Sequence, residues 1–308
     1  MLALNYQNII DQFVVAQVYK PSQEVNQVAD QIQFTEKGKF LFLAAQPELN
    51  SRDTFNKHCE KKVEQTVVLG CYIGPQHMYI YNVTDPRLAG VRQVTAAHEM
   101  LHGAYDRLSY IEKKNVNKMI EAALPSVQKA NPELAERLKI YDKTEPGERN
   151  NELHSILGTE SANLPTDLED YYKQYFINRS IITTFASQYD KIFNDVKNQQ
   201  NQLVAQLDAL ATEINTLTEQ YNADTTKLNS DIDDFNNRAD MQGSFASQSE
   251  FNTARAELVS RHAALSDQKD LIDAKIASYE AMRTQLEDLN IKVKDLNSKV
   301  DSTSVPSL

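Results

Sequence analysis

The stretch TAAHEMLHGAYDRL, residues 95–108, decides how the first half of this chain is read. It carries two of the six histidines, His98 and His102, four positions apart with Glu99 between them. On a helix, residues at that spacing lie one turn apart on one face, so both imidazoles can address one ion. Val94, Ala97, Leu101 and Leu108 form a stripe spaced for a core, which predicts a helix packed into protein. Two imidazoles and a carboxylate turned toward a packed interior need partners. The pattern H-E-x-x-H meets that need in one way: His98 and His102 ligate Zn²⁺, a third side chain completes the set, and water takes the open position. Glu99, about 100° round the helix, is then the general base toward that water.

Working outward, the first half reads as α+β. KGKFLFLAA (37–45) is expected to be a strand ended by Pro47. QTVVLGCYI (65–73) and HMYIYNV (77–83) read as two strands of a hairpin joined by GPQ. VTDPRLAG (83–90) is expected to open a helix, with Asp85 as N-cap and Pro86 in the first turn. The histidines lie in that helix or its direct continuation, which should end near Ser109. Further helices are expected over NPELAERLKIY (131–141) and over GERNNELHSILG (147–158), the latter stopped by Gly158.

After about residue 165 the composition shifts to Asn, Gln, Asp, Lys, Leu and Ala, with almost no glycine or proline. The expected domains are therefore 1–165 and 166–308. TDLE after Pro165 reads as a capping box, Thr166 at the N-cap and Glu169 reaching back, from which a long helix should start. Leu203, Leu207, Leu210, Ile214, Leu217 and Tyr221 step by four and three, and Leu228 continues the seam after a polar Asp224. The loop-like NNRADMQGSFASQSE (236–250) interrupts it. The seam returns in Ile272, Ile276, Tyr279, Leu286, Leu289, Val293, Leu296 and Val300, with His262 expected to pack on it. Two heptad segments around a loop describe an antiparallel coiled-coil hairpin, with arms on the order of 70 Å long. A single long helix that dimerises is the alternative.

A net charge of −11 argues against nucleic acid or an anionic membrane as the main partner. No run of eighteen apolar residues occurs, so no membrane-spanning helix is expected. The opening MLALNYQNIIDQFVVAQVYKPS lacks a basic segment followed by an apolar one. Either the protein is cytoplasmic, or it is an extracellular or cell-surface protein whose export signal or anchor has been removed. Cys59 and Cys71 are close enough in sequence for one disulfide, which would imply an oxidising compartment, or they are two reduced thiols.

HEMLH on a core helix after a strand hairpin resembles the zincin superfamily of zinc metallopeptidases, over the first half of the chain only. The resemblance implies a zincin-like domain and a peptide or protein substrate, held by addition to an edge strand from one of the two hairpin segments. It also sorts the third ligand. The metzincin continuation is absent, since GAYDRL follows His102, and Asp106 lies about 12 Å along the helix from His98, too far to share its ion. The gluzincin pattern takes a glutamate from a later helix, which points to Glu152, with His154, Glu148 and Glu160 as alternatives. Position 156 is Ile where gluzincins carry an aspartate that supports a ligand. His154 is either a donor to the oxyanion of the reaction or a helix-surface residue. Tyr105 and Tyr141 are lesser donor candidates, and His58 and His77 read as surface residues.

The expected function is zinc-dependent peptide-bond hydrolysis, with the hairpin serving spacing, oligomerisation or access control. The rival is an envelope or scaffold protein that works through its coiled coil, by self-association or with a coiled-coil partner. In it the metal module is structural or degenerate.

Overall fold

A computed structural model describes residues 2–59, 69–132, 134, 135 and 148–301. They form a largely helical molecule with one small three-stranded sheet, in two compact units: residues 1–193 with 295–308, and residues 194–294.

The first unit opens with α1 (Leu2–Phe13) and a short π-helical turn. α2 (Gln23–Ile32) starts where Ser22 accepts from the Val25 N–H, and it buries Val25, Val28, Ala29 and Ile32 at helical spacing. α3 (Glu36–Ala44) occupies the stretch expected to be a strand. Thr35 caps it, and its buried positions, Gly38, Leu41, Phe42 and Ala44, follow a helical rather than an alternating period. Pro47 opens a strand instead of closing one: β1 (Pro47–Asn50) pairs in parallel with β3 (Met78–Tyr81). β2 (Gly70–Tyr72) pairs antiparallel on the other side of β3, giving the order β1-β3-β2. The GPQ hairpin is present, its turn a 3₁₀ segment entered through Gly74 at φ +62°. Met78 and Ile80 face the core, while Tyr79 packs on the other side with Phe55 of α4 (Arg52–His58) and Cys59. Cys59 and Cys71 are joined by a disulfide.

Asp85 caps only a 3₁₀ turn, Pro86–Leu88. Gly90, at φ +97°, breaks the chain direction before α5 (Val91–Asp106) begins. α5 is the central element, with Ala96, Ala97, Met100 and Leu101 at 0% exposure. α6 (Tyr110–Ala130) follows a full capping box between Ser109 and Glu112. Asn131 accepts from the Leu134 N–H as expected of a cap, but most of the helix expected there, Tyr141 included, lies outside the described residues.

α7 (Arg149–Glu160) runs past Gly158 rather than stopping there. This glycine serves packing: a Cβ on it would meet the Leu101 side chain and come within 2.8 Å of the Tyr172 ring. The capping box expected at Thr166 does not form. α8 (Thr166–Tyr172) starts on the Pro165 carbonyl, and Glu169 is instead paired with Arg179. The chain then turns, Phe34 bridging to Phe176, and the long helix α9 (Ser180–Asp240) begins only after Asn178 accepts from the Ser180 N–H. The last residues of α10 (Gln248–Val300) belong to the first unit, where Arg87 pairs with Asp295 and Arg52 donates to the Ser298 carbonyl.

In the second unit α9 and α10 run antiparallel as a hairpin of one chain, with ion pairs Glu213–Lys275 and Asp231–Arg261 in a consistent register. Leu207, Leu228 and Ile272 are buried on the seam. Ile276, 43% exposed, and His262, also exposed, are not on it; Lys275 and Arg261 hold the neighbouring seam positions. Phe235, Phe245 and Phe251 close the tip around the Gly243 turn.

The packing of α7 on α5 through Gly158 generates a test. Gly158→Ala should destabilise the protein by about 1–3 kcal/mol, because the displaced side chains are already fully buried. Thermal or urea unfolding reads it, and a variant that unfolds with wild type would show that the contact can relax freely.

Candidate metal centre

α5 sets His98 and His102 one turn apart on the face that meets α7, and α7 presents Glu152 across from them. The two Nε2 atoms are 3.1 Å apart. Glu152 Oε2 lies 3.6 Å from His98 Nε2, and its Oε1 lies 3.5 Å from His102 Nε2. For an ion bound tetrahedrally at 2.0–2.2 Å, ligand atoms should stand about 3.4 Å from one another. The three separations lie near that value, the two carboxylate contacts being made by different oxygens, and one donor atom from each residue lies within 4.8 Å of the others, so the set could hold a metal ion. The side chains retain 18%, 12% and 15% exposure, enough for a ligand to enter from one side. Among the described residues this is the one cluster of histidine, cysteine or carboxylate groups with metal-ligand spacing.

Glu99 lies beside this set and is almost fully buried, at 6% exposure. It fits because Gly70 of β2 has no side chain: a Cβ there would come within 2.6 Å of Glu99 Oε1. Burial pushes its carboxyl up to about 7, and the neighbouring Glu152 adds to the rise. His102 and a hydrogen bond from the Tyr72 backbone N–H oppose it but do not win. A carboxyl held there can exchange a proton near neutral pH.

The other expected site residues are placed elsewhere. His154 is not in this cluster: it lies at 0% exposure among Tyr105, Tyr171, Tyr172 and Tyr175, so it is not on the helix surface either. Its Nε2 is 2.9 Å from the Tyr171 hydroxyl, and burial pushes its pKa down to about 3, which keeps the ring neutral. Glu148 is exposed at the start of α7 and Glu160 is at its far end. Asp106 is exposed beyond the cluster. Tyr105 donates its hydroxyl to Asn117. His58 and His77 are exposed and stack on Tyr79.

Three neighbours escape a reading of the sequence. Asn151, next to Glu152, contacts His102 Nδ1 at 3.0 Å. Gly70 makes room for Glu99, and Arg107 joins four segments around the hairpin turn. It pairs with Asp11 of α1 and donates to the Tyr72 hydroxyl and to the Gly103 and Pro75 carbonyls. The one advance signal is the position of Arg107 at the C-cap of the histidine helix, where a cation is favoured.

No model of a known protein family, no curated protein and no solved structure matches this chain.

Two measurements follow from the geometry. Zinc at about a hundredfold excess over its Kd should stabilise the protein by about 2.7 kcal/mol. His98→Ala should lose that stabilisation, and an equal rise in Tm for the variant would place the metal elsewhere. The second concerns pH. The folded-state pKa of Glu99 is raised, so its carboxyl costs nothing below the unfolded value of about 4.5. The metal-free protein then loses stability relative to Glu99→Gln as pH rises toward about 7, by up to about 3 kcal/mol. Parallel stability profiles for the two proteins over that window would contradict the burial argument.

Proposed function

We propose that this chain is a zinc-dependent peptidase of the gluzincin kind. One observation carries the reading: two helical histidines and a glutamate from a second helix bring their donor atoms within 4.8 Å of one another, with a buried carboxyl alongside. His98, His102 and Glu152 would hold zinc, for which two imidazoles and one carboxylate form a suitable donor set with a position left open. Zinc, when bound there, supplies Lewis acidity toward water and a peptide carbonyl. Glu99 would accept the proton of the attacking water and return it to the leaving amine, and its near-neutral carboxyl suits both halves of that task.

Of the two hairpin segments expected to dock a substrate backbone, we favour the described part of the first, β2 (Gly70–Tyr72), since β3 is paired on both sides; residues 65–68 of that segment lie outside the described residues. The ladder to β3 uses the Leu69 carbonyl and the Ile73 N–H. By antiparallel alternation the polar backbone groups of Gly70 and Tyr72 therefore point away from β3; the Tyr72 N–H already donates to Glu99, which leaves the Gly70 groups and the Tyr72 carbonyl for a substrate. An extended peptide laid along that edge would run past the zinc position. The Cys59–Cys71 bond supports an oxidising compartment, extracellular or at a cell surface. The coiled-coil hairpin is assigned to spacing, self-association or control of access.

Glu99→Gln should leave zinc stoichiometry unchanged and lower cleavage of a peptide library by about 10²–10⁴-fold. Undiminished cleavage would remove Glu99 from the mechanism. Wild-type protein that holds zinc yet cleaves no peptide would favour the scaffold reading, in which the centre only stabilises the fold.

A further inference from the structure

α1 is turned inside out. The side it presents to the protein is polar: Asp11, 1% exposed, accepts from Gln7 and from the Arg107 guanidinium. Gln7, Asp11 and the buried Val14 follow one another at helical spacing. The opposite side carries Tyr6, Ile9 and Phe13, also at helical spacing and 68%, 65% and 60% exposed. Apart from the inward Asp11, no charged side chain occurs in residues 1–19. A helix that buries its carboxylate and leaves two aromatic rings and an isoleucine in water has an outward face made for an apolar neighbour. Two more segments add to that face. The Arg107 guanidinium touches Asp11 and the Pro75 carbonyl. Ile9 and Phe13 stand two residues from Asp11, Ile73 stands two from Pro75, and Tyr110 and Ile111 stand three and four from Arg107. All five are exposed. Tyr110, Lys114 and Lys118 then follow at four-residue spacing along α6, all exposed, so two cations stand one and two turns behind an aromatic tip.

We propose that α1, with Ile73 and the start of α6, is a docking face for the surface of a phospholipid bilayer, entered by side-chain tips and not crossed. The inference is independent of the metal centre. Area argues against a second copy of the chain as the occupant. Tyr6, Ile9 and Phe13 together offer on the order of 400 Å². Two copies paired through α1 would then bury about 800 Å², short of the roughly 1,200 Å² at which stable interfaces begin. A bilayer has no such minimum, since each apolar tip gains by entering it separately. Charge points the same way. Lys114 and Lys118 suit headgroup phosphates, and their aliphatic stems can lie along the apolar boundary while the ammonium groups stay in the headgroup layer. The acidity of the chain as a whole is concentrated elsewhere: residues 194–294 hold 17 acidic and 10 basic side chains, whereas residues 110–118 hold three lysines and one glutamate.

The chain contains no tryptophan, so one introduced at an exposed position is the sole indole reporter. Phe13→Trp and Tyr110→Trp probe the face, and Ile291→Trp, exposed in the second unit, is the control. Each full-length variant is mixed with vesicles of phosphatidylcholine and phosphatidylglycerol. The emission of the first two should shift to the blue and be quenched by lipid with brominated acyl chains, while the control stays unchanged. In vesicle flotation, the triple variant Tyr6→Ser, Ile9→Ser and Phe13→Ser should bind at least about 10-fold more weakly than wild type. The pair Lys114→Glu and Lys118→Glu should weaken binding by about 3–30-fold. All these positions are exposed, so unfolding temperatures should stay near that of wild type. Three results overturn the proposal: no shift at position 13 or 110, an equal shift in the control, or full flotation of the triple variant. A shift that needs no vesicles and grows with protein concentration also overturns it, because a second copy then covers the face.

Discussion

Everything at the candidate centre depends on how closely α7 can approach α5. Gly158 permits that approach, since any side chain there would occupy the space of Leu101 and Tyr172. Once the helices are in contact, Glu152 has little freedom but to face His98 and His102, and Asn151 comes along as its neighbour. The same logic repeats on the other side of α5, where Gly70 lets β2 lie against Glu99. The arrangement needs a proton or a cation between its two nitrogens. Two lone-pair-bearing nitrogens 3.1 Å apart repel unless a proton or a cation lies between them, and two carboxyls lie close beside them. A divalent cation relieves both conflicts at once, which is the physical reason to read the cluster as a metal centre rather than as a chance meeting of polar groups.

Packing alone would not hold such a site, and two arginines, Arg107 partly buried and Arg179 buried, secure the elements that build it. Arg107 draws together α1, the hairpin turn, the Tyr72 side chain and the last turn of α5. It thereby fixes β2 against the helix that carries Glu99. Arg179 does the equivalent for α7. With its side chain 4% exposed, it donates to the Leu157, Gly158 and Ser161 carbonyls that the helix end leaves open, while Glu169 balances its charge. A guanidinium buried in this way is stabilising only while every donor is matched, so these contacts work as a set. The candidate ligand side chains are thus carried on two helices whose C-terminal ends are each tied down, which limits how far their donor atoms can drift.

The sequence disclosed this centre unevenly, for physical reasons. His98, Glu99 and His102 were legible because their spacing follows from helix geometry alone. Glu152 came only through a resemblance, since nothing local reveals which distant helix will face α5. The strand expected over 37–45 failed because Phe40, Leu41, Phe42 and Leu43 are apolar at successive positions and carry no period. Thr35, whose hydroxyl accepts from the Gly38 N–H, marks a helix start in a way hydrophobicity does not. Gly158 was read as a stop because glycine commonly ends helices, yet here it answers a steric demand from another element. Glu169 looked like half of a capping box until Arg179, ten residues later, claimed its carboxylate. The last two errors share a source: a local rule was overruled by a partner on another element.

The long helices show the opposite balance, and the residues that break their pattern are the informative ones. Apolar residues at every seam position would let two helices slide by a heptad, or pair with another chain, at little cost. This seam instead places Arg261, Gln268 and Lys275 at successive repeats of one heptad position on α10. Arg261 pairs with Asp231 and Lys275 with Glu213, both on the antiparallel partner helix. A slip by one heptad would move both cations off their carboxylates and set them against whatever lies a turn or two away. Such half-exposed pairs add little stability, about 0–1 kcal/mol each. Their effect is on the alternatives, since they penalise shifted and parallel arrangements more than they favour this one. The heptad makes these segments helical and sticky, and the charges interrupting it select a hairpin within one chain.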